Sequence, residues 1–265
     1  MVIQMNVAQL TKSGFAFEGW IPEYDIILPD FYAKYPNHWC FRVGCLDCNL
    51  HCVYCYNKRY LHTETFLLEE DKVRLVRQYG PVNTFVYTIG EPGLFIEDIR
   101  KVIEKYPSDE FRHCVKTNGT FISDRLVDDI YAINTDIKGL PNFYDQYTQY
   151  LGFYDDILKP HLKWLSEITI PEKEITYTVW LWRNDNNETK EFVLNWIDKT
   201  GARLCLNFVR SDIDFDCGYD LDLQNESVFN RICEIYEWFK QYGIEPFMCN
   251  FRFFDQVYKM KKKNP

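Results

Sequence analysis

From Cys40 onward the chain alternates between short β-rich runs and amphipathic helical runs, and this alternation limits the fold more than any other feature. The pattern predicts strands at 40–45, 84–89, 111–117, 132–138, 174–182 and 203–210. It predicts helices at 69–79, 95–106, 123–131, 143–166, 188–200 and 226–242. The last of these shows its period well, with Phe229, Ile232, Cys233, Ile235, Tyr236 and Phe239 on one face. Six strand–helix units in succession imply parallel strands, because a connection that contains a helix carries the chain back to start the next strand in the same direction.

The residues within the strands sharpen this expectation. In 174–182, Ile175, Tyr177, Val179 and Leu181 share one face, and Thr176, Thr178, Trp180 and Trp182 share the other. Ile133 and Ile137 oppose Asn134, Asp136 and Lys138; Phe111 and Val115 oppose Arg112, Cys114 and Lys116; Leu204, Leu206 and Phe208 oppose Cys205 and Asn207. A parallel sheet covered by helices on both faces would read as continuous apolar runs. One polar face suggests instead a partial (βα)6 TIM-like barrel of the α/β class, with helices outside and a polar, ligand-holding interior. The plainer alternative is a packed core whose polar groups satisfy one another. No Gly/Ser linker or internal repeat divides the 265 residues. The expected organisation is therefore an aromatic- and proline-rich N-terminal extension at 1–39 packed on the barrel, the barrel itself at 40–253, and a basic C-terminal tail at 254–265.

Composition excludes several classes of function. With 46% hydrophobic and 26% charged residues the chain is neither disordered nor of low complexity. A net charge of −9 disfavours a broad nucleic-acid surface. No apolar run is long enough to span a membrane. The N-terminus lacks the basic start, apolar stretch and cleavage site of a signal peptide, so a cytoplasmic location is expected.

In a reducing compartment, ten cysteines point to metal binding rather than to disulfides. Five of them, Cys40, Cys45, Cys48, Cys52 and Cys55, fall within sixteen residues. Cys45, Cys48, Cys52 and Cys55 together would suit a structural zinc ion, although the two pairs stand closer together than in most zinc ribbons. Cys48, Cys52 and Cys55 alone would suit three irons of a cubane cluster, with the fourth iron left open. Cys205, Cys217 and Cys249 are candidates for an auxiliary cluster, but their spacing matches no compact motif; Cys40 and Cys45 belong either with them or to the packing. Cys233, on the apolar helix face, reads as core, and His51, inside the cysteine loop, as a solvent or capping residue.

A second motif favours the cluster. Residues 84–94 read TFVYTIGEPGL, a β-rich run ending in Gly90-Glu91-Pro92. The pairing of Cys48-x3-Cys52-x2-Cys55 with a downstream Gly-Glu-Pro resembles the radical S-adenosylmethionine (SAM) enzymes, and Tyr54 fits their preference for an aromatic before the third cysteine. Ile89 stands where that family usually has a further glycine. The resemblance implies a partial barrel, a [4Fe–4S] cluster on Cys48, Cys52 and Cys55, and SAM bound beside Gly90, Glu91 and Pro92. It places the Glu91 carboxylate near the SAM ammonium and the backbone beside Tyr54 near the adenine. It implies reductive cleavage of SAM to a 5′-deoxyadenosyl radical that abstracts a hydrogen atom. A ferredoxin or flavodoxin would supply the electron.

The likeness extends furthest toward the glycyl-radical-enzyme activases, over roughly residues 40–245. Lys116-Thr117-Asn118-Gly119 and Asp136-Ile137-Lys138-Gly139 stand where those enzymes carry Asp-Thr-Asn-Gly and Asp-Leu-Lys. By that resemblance Asn118, Asp136 and Lys138 belong to the SAM site, with Lys138 on the SAM carboxylate. Lys116 replaces an aspartate that helps hold a monovalent cation, so the lysine is expected to supply the charge itself, with Asp136 between the two lysines. Between Cys55 and Gly90 lie 34 residues, too few for the ferredoxin-like insert of some activases. The substrate expected is a protein partner; a peptide- or nucleotide/RNA-modifying enzyme and a non-catalytic zinc-binding module are the alternatives. Lys116, Asp136 and Lys138 also admit a plain ion-pair reading, and Thr117-Asn118-Gly119 a plain turn.

Overall fold

The computed structural model describes residues 39–45, 47–55, 82–209 and 225–248. Seven strands form one parallel sheet in sequence order. They are β1 Trp39–Cys45, β2 Val82–Ile89, β3 Arg112–Thr117, β4 Ile130–Ile137, β5 Glu172–Val179, β6 Arg203–Phe208 and β7 Phe247–Met248. The helices are α1 Ile96–Lys105, α2 Pro141–Tyr147, α3 Lys159–Glu167, α4 Asn187–Thr200 and α5 Glu226–Gln241. The expected helix at 69–79, residues 1–38 of the expected extension and the tail at 254–265 lie outside the described residues.

The apolar faces read from the sequence are the helix-facing ones. Ile133, Ile137, Ile175, Tyr177, Val179, Leu204, Leu206 and Phe208 are all buried. Tyr177 meets Phe239 of α5 edge to face, with ring centroids 6.4 Å apart. Full burial of each such side chain contributes about 1.5–3 kcal/mol. Helix ends follow their local chemistry: the Asn186 side chain caps α4 by accepting from Thr189 N at 2.8 Å, and Gly201 closes the helix at φ +66°.

Four expectations need correction. The segment 123–131 holds only turns and a 3₁₀ turn at Val127–Asp129, because Ile130 is drawn into β4 by pairing with His113. The long helix expected at 143–166 is broken: Gln149 and Gly152 take left-handed φ of +58° and +76°, and a π-helical turn at Tyr154–Leu158 leads into α3. Strand 174–182 stops at Val179, because the Asn184 side chain accepts from Trp180 N at 2.7 Å and bends the chain into a turn with Trp182 at φ +62°. The short β7, with no alternation long enough to read, extends the sheet beyond six strands.

The interior face is polar but largely self-satisfied at mid-depth. Asn134 donates through Nδ2 to Glu174 and, at 2.8 Å, to Thr176 Oγ1. Cys114 and Cys205, on the same face, are fully buried in the core with Val86 and Ala132. The plainer reading therefore holds for these layers, and the polar groups open to chemistry lie at the C-terminal ends of the strands.

Candidate active site

The segment that follows β1, residues 47–55, has no regular structure and is fastened to its surroundings by backbone bonds. Glu91 N donates to Asp47 O at 2.7 Å, and His51 N and Val53 N donate to Thr148 O and Tyr147 O at 3.0 Å each. Cys52 is buried, Cys48 and Cys55 are half-buried, and His51 is exposed. Cys45 behaves differently. It is fully buried among Val43, Phe85 and Ile99, whereas the other three pack with Leu50 and Tyr54 in a separate cluster. Among the described residues no three His, Cys, Asp or Glu side chains gather closely enough to hold a single metal ion. Cys45 thus stands apart from Cys48, Cys52 and Cys55, which share one loop.

Burial governs the chemistry of two of these thiols. Burial pushes the Cys48 thiol up to about 12, against the pull of the Leu50 N–H. Burial likewise pushes Cys52 up to about 11, with Lys138 pulling it partly back. A bound cation would compensate the thiolate charge at such desolvated positions, as it would at any buried thiol, Cys45 and Cys114 included.

The end of β2 is joined to this loop and to the end of β3. A Cβ on Gly90 would lie 2.0 Å from Cys45 O and 2.2 Å from Asp47 O, so only glycine lets the two segments cross. Glu91 is fully buried. One carboxylate oxygen accepts from Gly93 N at 2.7 Å and Thr117 Oγ1 at 2.6 Å, and the other from Asn118 N at 2.7 Å. Burial pushes its pKa up to about 7, and these hydrogen bonds pull it partly back. Pro92 opens a 3₁₀ turn at Pro92–Leu94.

Beyond β4, Lys138 is bound at all of its polar atoms. Its Nζ pairs with Asp136, its N–H donates to Tyr144 Oη at 2.9 Å, and its carbonyl accepts from Asn184 Nδ2. Asp136 also accepts from Thr178 Oγ1 at 2.5 Å. Burial pulls the Lys138 pKa down, but Asp136, Tyr54, Cys52 and Tyr144 together hold it well above the ordinary lysine value. Asp136 thus holds one of the two lysines expected to flank it. Lys116, half-buried on β3, lies opposite Asn134 in the sheet register.

Tyr54 stands beside this group. Its ring lies 5.3 Å from that of Trp180 and 6.2 Å from that of Phe143. The Tyr54 hydroxyl and the Trp180 indole N–H are both buried without a hydrogen-bond partner. Sequence reasoning placed Trp180 on the polar face but did not single it out. It placed Thr178 on the same face without assigning it a role, and it missed Tyr144 and Asn184 altogether; Asn184 carried a signal only as a turn former before the Asn186 cap.

A family model for the radical SAM superfamily matches residues 45–197, more than half of the chain. The chain belongs to that superfamily, whose cofactors are a [4Fe–4S] cluster and SAM. No curated protein sequence matches it closely. Among solved structures it is similar to SuiB of Streptococcus suis bound to SAM, with 12% identity and a TM-score of 0.56 over 83% of this chain and 52% of that one. It is also similar to a radical SAM methyltransferase from Sphaerobacter thermophilus, with 15% identity and a TM-score of 0.56 over 81% and 67% of the two chains. TYW1 with a lysine–pyruvate adduct bound gives 14% identity and a TM-score of 0.52 over 83% and 81%. At these identities the likeness is one of fold, the partial TIM-like barrel, and the chain spans about half the length of SuiB. No helix among the described residues is long and apolar enough to cross a membrane.

Proposed function

We propose that this chain cleaves SAM reductively and abstracts a hydrogen atom from a polypeptide substrate, in the manner of the glycyl-radical-enzyme activases. The observation that carries this reading is the convergence of four strand ends. The cysteine loop after β1, the Gly90-Glu91-Pro92 turn after β2, Asn118 after β3 and Lys138 after β4 are bonded or electrostatically coupled to one another. Parallel α/β barrels build their sites at this end of the strands.

Cys48, Cys52 and Cys55 would hold the cluster. When bound, the cluster and SAM supply one-electron reduction of the sulfonium and hence a 5′-deoxyadenosyl radical. The chain's own residues bind and orient. Lys138, kept charged by Asp136 and fixed by Tyr144 and Asn184, would receive the SAM carboxylate. Glu91 has about four lone-pair sites and three internal donors, so one site is left for the SAM ammonium. Tyr54 and Trp180 would wall the adenine and keep water from the reacting centre. Lys116 would supply the positive charge that the activases draw from a cation.

Three observations support a polypeptide substrate. The described sheet is open, with β1 and β7 as its edges, which suits a large substrate. The charge of −9 disfavours nucleic acid. The solved structures of similar fold include SuiB bound to its precursor peptide SuiA. An electron donor such as ferredoxin or flavodoxin is implied.

Anaerobic reconstitution with iron and sulfide, followed by reduction in the presence of SAM, tests the proposal. Expected are about four irons per chain, as a [4Fe–4S] cluster requires, and release of 5′-deoxyadenosine and methionine. A colourless protein that retains zinc and leaves SAM intact would refute it.

A further inference from the structure

Asn118 does not turn its side chain toward Lys138 but toward the first cysteine of the loop. Its Nδ2 lies 3.7 Å from Cys48 Sγ and donates to Asn49 Oδ1 at 2.9 Å. Asn49 Nδ2 donates to Thr120 Oγ1 at 2.8 Å, and Thr120 Oγ1 donates to Asn118 Oδ1 at 2.7 Å. The three side chains thus close a ring in which every donor meets an acceptor. Thr120 N adds a further bond to Asn118 Oδ1 at 3.1 Å.

This ring fixes the orientation of Asn118. Rotating its amide by half a turn would set an NH₂ group against the Thr120 N–H and an oxygen against Asn49 Oδ1. Of the two N–H bonds on Asn118 Nδ2, one is taken by Asn49 and the other is left for Cys48 Sγ. Leu50 N supplies a second donor to the same sulfur at 3.4 Å. The Asn118 backbone is held separately, through its own N–H on Glu91, so side chain and backbone have distinct tasks.

We infer that the Asn118–Asn49–Thr120 ring is a device that tunes the redox potential of the cluster through Cys48, with Asn118 as its positioning residue. The inference rests on the proposed cluster ligation and assigns a specific role to residues outside the cysteine triad. An N–H···S bond stabilises negative charge on the ligand sulfur. A reduced cluster carries one more negative charge than an oxidised one, so the bond favours the reduced state and raises the potential. Held in a ring, the donor keeps this alignment in both states, and the bonds polarise one another.

The test is a redox titration of the reconstituted holoprotein, followed by the electron paramagnetic resonance signal of the reduced cluster. Wild type is compared with Asn118→Ala, Thr120→Val and Thr120→Ser. Asn118→Ala should keep its iron and shift to a lower potential. At the wild-type midpoint its reduced-to-oxidised ratio should fall about tenfold, equivalent to about 59 mV for a one-electron couple. Thr120→Val, which opens the ring by removing one bond to Asn118 Oδ1 while leaving the Thr120 N–H bond to it and Cys48 in place, should shift in the same direction by less, and Thr120→Ser should stay with wild type. An Asn118→Ala protein with full iron and the wild-type potential would overturn the inference. If Asn118→Ala loses its iron, Thr120→Val decides: a lowered potential supports the ring, and an unchanged one overturns it. A wild type that takes up no cluster would overturn both the ligation and the ring, and iron and sulfide analysis distinguishes that failure from the others.

Discussion

Two buried histidines make the stability of this fold sensitive to acid in a way that can be apportioned residue by residue. His161 of α3 lies between β4 and the segment after β3: one ring nitrogen is 2.7 Å from Thr135 Oγ1 and the other 2.6 Å from Phe121 O. A carbonyl only accepts, so Nδ1 carries the proton, and Nε2 accepts from the Thr135 hydroxyl. His113 of β3 is held alike, between Tyr87 Oη at 2.8 Å and Tyr106 O at 2.7 Å. Both rings are fully buried, and burial lowers both pKa values from 6.5 to about 4. The unfolded chain therefore binds these protons more readily, and stability is lost as pH falls from about 6.5 toward 4. At pH 5 the loss comes to about 2 kcal/mol per histidine. Glu91 acts in the opposite sense: with its pKa raised to about 7, its ionisation destabilises the fold as pH rises toward neutrality. Total stability against pH therefore mixes the contributions, and a difference between variants isolates them. Urea unfolding of wild type and His161→Gln at pH 7.5 and pH 5 should show the variant losing about 2 kcal/mol less than wild type over that interval, and His113→Gln should behave similarly. If either variant keeps the wild-type pH dependence within about 0.5 kcal/mol, that histidine does not titrate as its burial requires.

The cysteines divide by position: Cys48→Ala, Cys52→Ala or Cys55→Ala should each abolish the cluster, measured as bound iron, whereas Cys45→Ala should keep it, because Cys45 lies in the core of the sheet. Removing the Glu91 carboxylate by Glu91→Ala should leave the iron in place and weaken SAM binding about 10- to 150-fold, the equivalent of one charge-assisted hydrogen bond. Gly90→Ala should prevent cluster assembly, since its Cβ would collide with two carbonyl oxygens. SAM cleavage by wild type should not depend on potassium at constant ionic strength, and Lys116→Asp should create that dependence; a wild type that needs potassium as strongly as the variant would show that Lys116 does not replace the ion.

Much of the fold was legible because it rests on periodicity. The alternation of Ile175, Tyr177 and Val179 with Thr176 and Thr178 assigns each residue to a face whatever its partners, since side chains on a strand alternate strictly. Spacing along the chain likewise marked Cys48, Cys52 and Cys55, which share one loop, and Gly90, Glu91 and Pro92, which share one turn. Element ends were harder to read. Trp180 and Trp182 continue the strand pattern, yet the turn is imposed by Asn184, whose bonds run to Trp180 N, Thr178 O and Lys138 O. The sequence by itself determined the order of the first six strands, the class of fold and the loop that carries the thiols, because each is encoded by residues near one another along the chain. Only the tertiary structure decided that Cys45 leaves the cysteine set for the core, that Glu91 ties β2 to β3, and that Asn118 reaches across 70 residues to Cys48. Such contacts depend on which strand ends meet in a parallel sheet and on which donors remain without water once they are buried, and neither is encoded in local spacing.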